Sequence, residues 1–408
     1  MRTPTYPPSV TEVIHRLEMA GHEAFVVGGA LRDTLLGREV HDFDVTTSAL
    51  PQQTAAVFSD LPVIETGIKH GTVTVLIDGQ PIEITTFRID GTYHDARHPD
   101  DVTFTSRVEG DLSRRDFTIN AMAHNQKTGL VDLFGGREDL AAGIIRAVGD
   151  PATRFREDAL RILRAYRFMA KLNFKIEPET LAATKACRAG LAHISAERVT
   201  AELCGLFEGQ GAEAALACMT EMGIWEAIAP DFDIQNTKVG NINSLPYVFE
   251  IRFAYFLQNC ADGGETLIKK LRLSNAEASR IRQLLALKNA FPTVLAEGTV
   301  RRFMAAARER WADVVSLLSA DGYFEASAAE RAAVIEAANR IAARGDALWL
   351  SHLAVDGRAL IEVGIRGKSI GKALEFLLDR VLDDPSLNQK NTLMGLAKEY
   401  AASENQNQ

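Results

Sequence analysis

Cysteine is scarce in this chain of 408 residues. There are four, Cys187, Cys204, Cys218 and Cys260, and no two form a CxxC pair. They sit in segments that read as helical, so buried, reduced thiols are expected rather than a redox or metal motif. No apolar run approaches the roughly 18 residues that span a bilayer. The N-terminal stretch MRTPTYPPSV has no apolar h-region of a secretory signal, so the expected compartment is the cytoplasm and no membrane partner is expected. Neither GxxxxGK[ST] nor GxGxxG occurs, which removes the P-loop and the Rossmann fingerprint. Nor is there a surplus of positive charge. The formal net charge of −9 argues against a broad nucleic-acid coat but allows a local basic groove on an acidic body. A small footprint on a folded RNA needs only a few phosphate contacts.

What is present is a soluble, globular composition, 46% hydrophobic and 24% charged, in a chain too long for one ordinary core. The first third reads as α/β. A short helix is expected over 11–20, a strand over Ala24 to Val27, and a helix over Ala30 to Leu36 after Gly28-Gly29. A strand is expected over Asp42 to Thr47, and Pro51 opens another helix. Strand-like runs follow at Val63–Thr66, Thr72–Ile77 and Pro81–Phe87, with Asp78-Gly79 as a hairpin signal. Residues 91–113, GTYHDARHPDDVTFTSRVEGDLS, have little periodicity and read as a long loop of the kind that is often functional. From about residue 137 the pattern is helical to the end, broken near Asn236–Leu245 and closed by a polar tail, SENQNQ, expected to be disordered.

HDFDV carries the central chemical signal. On a strand, Asp42 and Asp44 share a face because side chains alternate, while Phe43 and Val45 turn to the core. Adjacent carboxylates repel and need a cation or a proton between them. Hard oxygen ligands of this kind suit Mg²⁺, which keeps waters and binds substrate phosphates. Taken alone, the pair reads more readily as two solvent-facing acids on an edge strand. Upstream, however, FVVGGALRD gives a strand, two glycines and a helix, so that backbone N–H groups and a positive dipole end face an approaching phosphate, with Arg32 in the first turn. Glu83, on an alternating strand, is either a third carboxylate of the cluster or an exposed strand acid.

Two arginine motifs follow. In SRRDFTINAM, Arg115 reads as a contact to ribose or phosphate and Asp116 as its orienting acid; the plainer reading is a capped helix start with surface charge. In RFREDALRILRAYRFMAKL, Ala159, Ile162, Leu163, Tyr166, Met169 and Ala170 make one helical face, and Asp158, Arg161, Arg164 and Arg167 the other. That second face is either a solvated row of ion pairs or a platform for phosphates and base edges. His94 and His98 have a ligand-like spacing but no third partner and are read as coincidence.

Taken in order, GGALRD, DFDVTT, ETGIKHGTVTV, IEITTFR, DLSRRDFTINAMA and EDALRILRAYRF resemble the class II CCA-adding enzymes. Those belong, with the bacterial poly(A) polymerases, to the polymerase-β nucleotidyltransferase superfamily. The likeness is dense over residues 24–207, and LAVDGRALIEVGI with IGKALEFLLDRVLDDP resembles the family's C-terminal segment. The resemblance implies an α+β fold: a small nucleotidyltransferase head with a mixed sheet (1–140), then an all-α neck (141–207), an RNA-binding body (208–345) and a tail (346–408). It implies a catalytic set of Asp42, Asp44 and Glu83, with Asp42 and Asp44 holding Mg²⁺. It also implies that Gly29 and Arg32 contact the triphosphate and Arg115 the sugar or phosphates. Asp158 and Arg161 would read the base, with Arg164 and Arg167 assisting, and Arg198 and Glu202 would steady that helix.

The implied activity is addition of CCA to the 3′ end of tRNA from CTP and ATP without a nucleic-acid template. Asp158 accepts from the exocyclic amino group of C or A while Arg161 donates to the ring; U and G present the wrong edges. GIKHGTVTV resembles the CCA-adding version of that stretch, and the loop before Arg114 is the element expected to switch from C to A. The alternatives are a poly(A) polymerase, a CC-only or A-only tRNA nucleotidyltransferase, or a non-catalytic RNA-binding protein. No His-Asp phosphohydrolase motif occurs in the C-terminal part, and residues 208–345 resemble the family too weakly for residue-level assignment.

Overall fold

The computed structural model describes residues 4–40, 42–65, 67–68, 71–90, 102–291, 296–322 and 328–406. The chain divides into two compact units: residues 1–239 with 264–273, and residues 240–263 with 274–408.

The first unit opens on the Pro8–Met19 helix and is built on a seven-stranded mixed sheet. Across it run Val63–Ile64, Thr72–Ile77, Gln80–Thr86, Asp44–Thr47, Ala24–Val27, Met122–Asn125 and Gly129–Asp132. All neighbours are antiparallel except Asp44–Thr47 with Gln80–Thr86, which are parallel. Ala24–Val27, an interior strand, is buried at every residue, which is why AFVV is a continuous apolar run rather than an alternating one. Gln80–Thr86 alternates, with Ile82 and Ile84 inward and Glu83 outward. The hairpin before it turns on Asp78 and Gly79, both at positive φ (51° and 77°), as the two-residue mirror-image turn requires. Phe25, Val27, Phe87, Val108, Leu112 and Ala123 form a core cluster of the sheet.

Several expectations are corrected. The DFDV strand begins at Asp44, so Asp42 precedes the ladder rather than lying in it. Part of the long loop is regular: Val102–Phe104 pairs with Arg88–Asp90, and Val108–Ser113 is helical because Val108 and Leu112 are one turn apart and bury together. His94 and His98 lie outside the described residues. Three of the four cysteines are only half-buried; Cys260 alone is buried, and none of the four is in a disulfide. The C-terminal helix, Lys390–Gln406, anchored by Leu393 and Ala397 in the core, takes in the first four residues of SENQNQ; the last two lie outside the described residues.

Beyond the sheet and the Arg88–Asp90/Val102–Phe104 pair, the first unit is helical among its described residues, apart from the short pair Ile144–Ile145 and Lys175–Ile176. Its axis is Leu160–Leu172, which buries Leu160, Ile162, Leu163, Ala165, Tyr166, Phe168, Ala170 and Leu172, and so is enclosed nearly all round rather than on one stripe. Ala196–Phe207 packs along it; a Cβ at Gly205 would stand 2.8 Å from Arg167 Cδ, so the absence of a side chain there sets how closely the two helices approach. The second unit is all helical, with Phe249–Leu257, Asn275–Asn289, Glu297–Ala307, Trp311–Ala320, Ala328–Arg344, Ser369–Asp383 and Lys390–Gln406 as its longer members. Ser274 and Glu277 close a capping box on the second of these.

Candidate active site

The site gathers where the Ala24–Val27 strand ends. Val27 is extended and offers no side-chain cap to the Gly28–Leu35 helix, whose first N–H groups therefore remain available to an anion. Gly28 takes φ of 67°, and a Cβ there would lie 3.2 Å from Arg115 Nη1, so both conformation and space call for glycine. Gly28, Gly29, Arg32, Asp44, Arg115, Asp116, Asn120, Arg164, Arg167 and Phe168 line one cleft of about 300 Å³.

One wall is acidic. Asp44 and Glu83 are register partners on parallel strands, both exposed, so their side chains stand on the same face. The Asp44 carboxyl is held above its usual range, first by desolvation in the cleft and then by the negative charge of Glu83 and Asp42; Arg115 opposes this. Asp42 itself is exposed. Phe43 between the two aspartates is only half-buried and meets Tyr6 edge-on at 6.0 Å, and Tyr6 hydroxyl is hydrogen-bonded to His124 Nδ1 at 2.8 Å. A cation fits this wall chemically, since bringing one in relieves the repulsion that raises Asp44. Among the described residues no three His, Cys, Asp or Glu side chains form a closed ligand set. The carboxylates would thus supply part of a hard ion's oxygen shell and leave positions for water and phosphate.

The other wall is basic and tightly braced. Asp111, fully buried, pairs with Arg114 at 2.7 Å and Arg115 at 3.0 Å. Burial alone would push Asp111 up, but Arg115 and Arg114 outweigh it and hold the carboxyl below its usual range. Asp116 does not orient Arg115. Its Oδ2 accepts from Arg164 Nε at 2.8 Å, and its Oδ1 accepts from Phe117 N–H and Asn120 Nδ2. Against the upward push of burial, Arg164 and those donors bring Asp116 down to about 2. Asn120 Oδ1 accepts in turn from Arg32 Nη1 at 2.7 Å, so Arg32 and Arg164 are joined through Asp116 and Asn120. Arg167 pairs with Glu202, as Arg164 does more loosely at 3.7 Å. Arg115 Nε is buried with no hydrogen-bond partner, a donor that an anion in the cleft would satisfy.

Of the residues singled out in sequence, Gly29, Arg32, Asp44, Arg115, Arg164 and Arg167 share this cleft, with Glu83 beside Asp44. Asp158 and Arg161 do not line it. Asp158 Oδ2 accepts from Arg198 at 2.7 Å; Arg161 donates to Glu157 at 2.6 Å and to the carbonyls of Arg154 and Arg114. Sequence reasoning missed Asp111, Asn120 and Phe168. The first had a signal, since Asp111 stands three and four residues before Arg114 and Arg115 on a helical turn; the other two had none.

Comparison with known proteins agrees with this geometry. Residues 24–146 match the family described as the poly A polymerase head domain, and residues 173–235 match the probable RNA and SrmB-binding site of polymerase A. The class is therefore that of template-independent RNA nucleotidyltransferases with a polymerase head. Within it, a CCA-adding enzyme of Lacticaseibacillus paracasei is 36% identical over 401 residues, 95% of each chain. One from Levilactobacillus brevis is 48% identical over 220 residues, 54% of this chain and 55% of that one. The crystal structure of the Bacillus stearothermophilus CCA-adding enzyme in complex with CTP is 31% identical, with a TM-score of 0.81 over 99% of this chain and 100% of that one. The chain belongs to the CCA-adding enzymes. No helix among the described residues is long and apolar enough to cross a membrane.

Proposed function

We propose that this protein adds C, C and A in turn to the 3′ end of tRNA, using CTP and ATP and releasing pyrophosphate, in the cytoplasm and with Mg²⁺. The observation that carries the reading is the joining, in one cleft, of the Asp44–Glu83 wall to a set of arginines beside an uncapped helix start. Phosphoryl transfer asks for positioning and charge neutralisation rather than covalent help, and these two walls offer that division of labour.

The helix start at Gly28-Gly29, with Arg32 and Arg115, grips the triphosphate; Arg164 and Arg167 add charge on its far side. Asp42 and Asp44 hold Mg²⁺, and Glu83 adds negative charge beside them. When bound, the ion lowers the pKa of the RNA 3′-hydroxyl and stabilises the leaving pyrophosphate. Asp158 and Arg161 read the base by exchanging Arg198 and Glu157 for the base edge, so that only an amino group beside a ring acceptor satisfies both. The head, neck, body and tail are placed at residues 1–140, 141–207, 208–345 and 346–408, which puts the boundary between the two compact units, after Val239, within the body.

Incubation of the purified protein with tRNA lacking CCA, Mg²⁺, CTP and ATP, followed by product sequencing, tests the reading. Three added residues and a stop are expected; a long A-tail, or addition halting after CC, overturns it. Arg161→Ala is expected to admit UTP, and unchanged discrimination in that variant removes the base-reading role.

A further inference from the structure

Arginines repel one another, yet three converge on a single ring in this cleft. The guanidinium carbons of Arg32, Arg164 and Arg167 lie 5.0, 5.4 and 4.5 Å from the centroid of Phe168. All three are within the roughly 6 Å at which a cation is attracted to an aromatic quadrupole. Phe168 is 4% exposed, and Phe117 meets it edge-on at 5.7 Å, so the ring is fixed in place. Each cation also pairs with a carboxylate, Asp33 for Arg32, Asp116 for Arg164 and Glu202 for Arg167, and Glu202 reaches Arg164 as well at 3.7 Å. These links are pairwise: Glu202 joins Arg164 to Arg167, and Asp116 with Asn120 joins Arg164 to Arg32. The Phe168 ring faces all three guanidiniums at once.

From this we infer that Phe168 is a positioning residue for nucleotide binding, a hub that sets the spacing of the three guanidiniums facing the triphosphate. The inference rests on the assignment of this cleft to the nucleotide. Its physical basis is that an aromatic ring, unlike an aliphatic side chain of similar volume, attracts cations while carrying no net charge. A carboxylate at the same point would neutralise the arginines that the triphosphate needs; an alkyl group would leave their mutual repulsion opposed by the pairwise links alone.

The discriminating experiment replaces Phe168 with mono-, di- and trifluorophenylalanine, which weakens the quadrupole stepwise at nearly constant shape, alongside Phe168→Leu. Two quantities are read: KM and kcat for CTP and ATP, and the affinity for inorganic tripolyphosphate by calorimetry, which needs no turnover. KM for both nucleotides is expected to rise about twofold per fluorine and about tenfold in Phe168→Leu, with kcat nearly constant and tripolyphosphate binding weakening in parallel. A flat fluorine series in an active enzyme overturns the role, because a packing residue would move thermal stability without moving KM. If the wild type adds no CCA while tripolyphosphate affinity still falls with fluorination, the assigned activity fails and the role of Phe168 stands.

Discussion

Each unit contains a knot of arginines and carboxylates, and the two differ in how far their hydrogen-bonding capacity is used. In the second unit Arg301, 4% exposed, donates through Nε to Leu382 O at 2.7 Å and through Nη2 to Asp383 O at 2.9 Å. Its Nη1 meets Glu297 and Asp346, each at 3.3 Å. Every nitrogen of that guanidinium is engaged, and two of its partners are the last carbonyls of the Ser369–Asp383 helix, which it caps. In the first unit Arg164, whose side chain is 33% exposed, spends Nε and Nη2 on one oxygen of Asp116 and holds Glu202 only at 3.7 Å. The difference teaches that ion-pair content does not mark a site. A saturated guanidinium is a structural bolt, whereas one braced from behind with donors left over is poised for an anion.

The comparison breaks most decisively at the acidic wall. Asp42→Ala or Asp44→Ala should reduce nucleotide addition on the order of a thousandfold or more, since charge neutralisation at the transferring phosphate is lost. Both residues are exposed, so chemical denaturation should shift by only about 0.5 kcal/mol or less. A large loss of stability in either variant, or retained addition, would remove them from the chemistry. Arg301→Ala is expected to behave in the opposite way: unfolding free energy falls by about 3 kcal/mol, because it strips donors from the carbonyls of Leu382 and Asp383 and one partner from the buried Asp346 carboxylate, while KM for CTP in the folded fraction stays put. A raised KM with intact stability would show that the bolt belongs to a site after all.

These contrasts explain what was legible in the chain. Ala24–Val27, the Pro51 helix start and the Asp78-Gly79 turn were readable because each depends on local chemistry: a wholly apolar run, a preset φ, two residues that tolerate positive φ. Gly29, Arg32, Asp44 and Arg115 were readable as a set because a glycine-opened helix and a carboxylate pair leave spacing signatures. The partners of the arginines were not. Asp116 stands next to Arg115 in sequence yet serves Arg164, 48 residues away, and Asn120 serves Arg32, 88 residues away. Such pairings are decided by tertiary packing. Phe168 reads as one more apolar residue on a helix until the fold brings Arg32 to it. The expectation that SENQNQ is disordered meets a helix that continues to Gln406: polar composition is a local signal, and Leu393 and Ala397 dock that helix into a core assembled from distant residues.

The smallest predicted effect is also the sharpest test of the braced arginine. Asp116 is buried and its folded pKa is about 2, against 3.8 for the ordinary carboxyl. A depressed folded value means the ionised form is favoured by folding, so the stabilisation is fully present above pH 4 and is lost as pH falls towards 2. The displacement corresponds to about 2 kcal/mol. Asp116→Asn should therefore lie below the wild type in urea-unfolding free energy at pH 7 by at least that amount, and the gap should narrow as pH drops from 4 towards 2. Because the same carboxylate aims Arg164, this variant should also raise KM for CTP and ATP at pH 7, a coupling of acid stability to substrate affinity that no substitution at Glu297 or Asp346 should produce. A constant gap across that pH range would mean that Asp116 is not ionised against Arg164, and the distinction between bolt and brace would lose its physical basis.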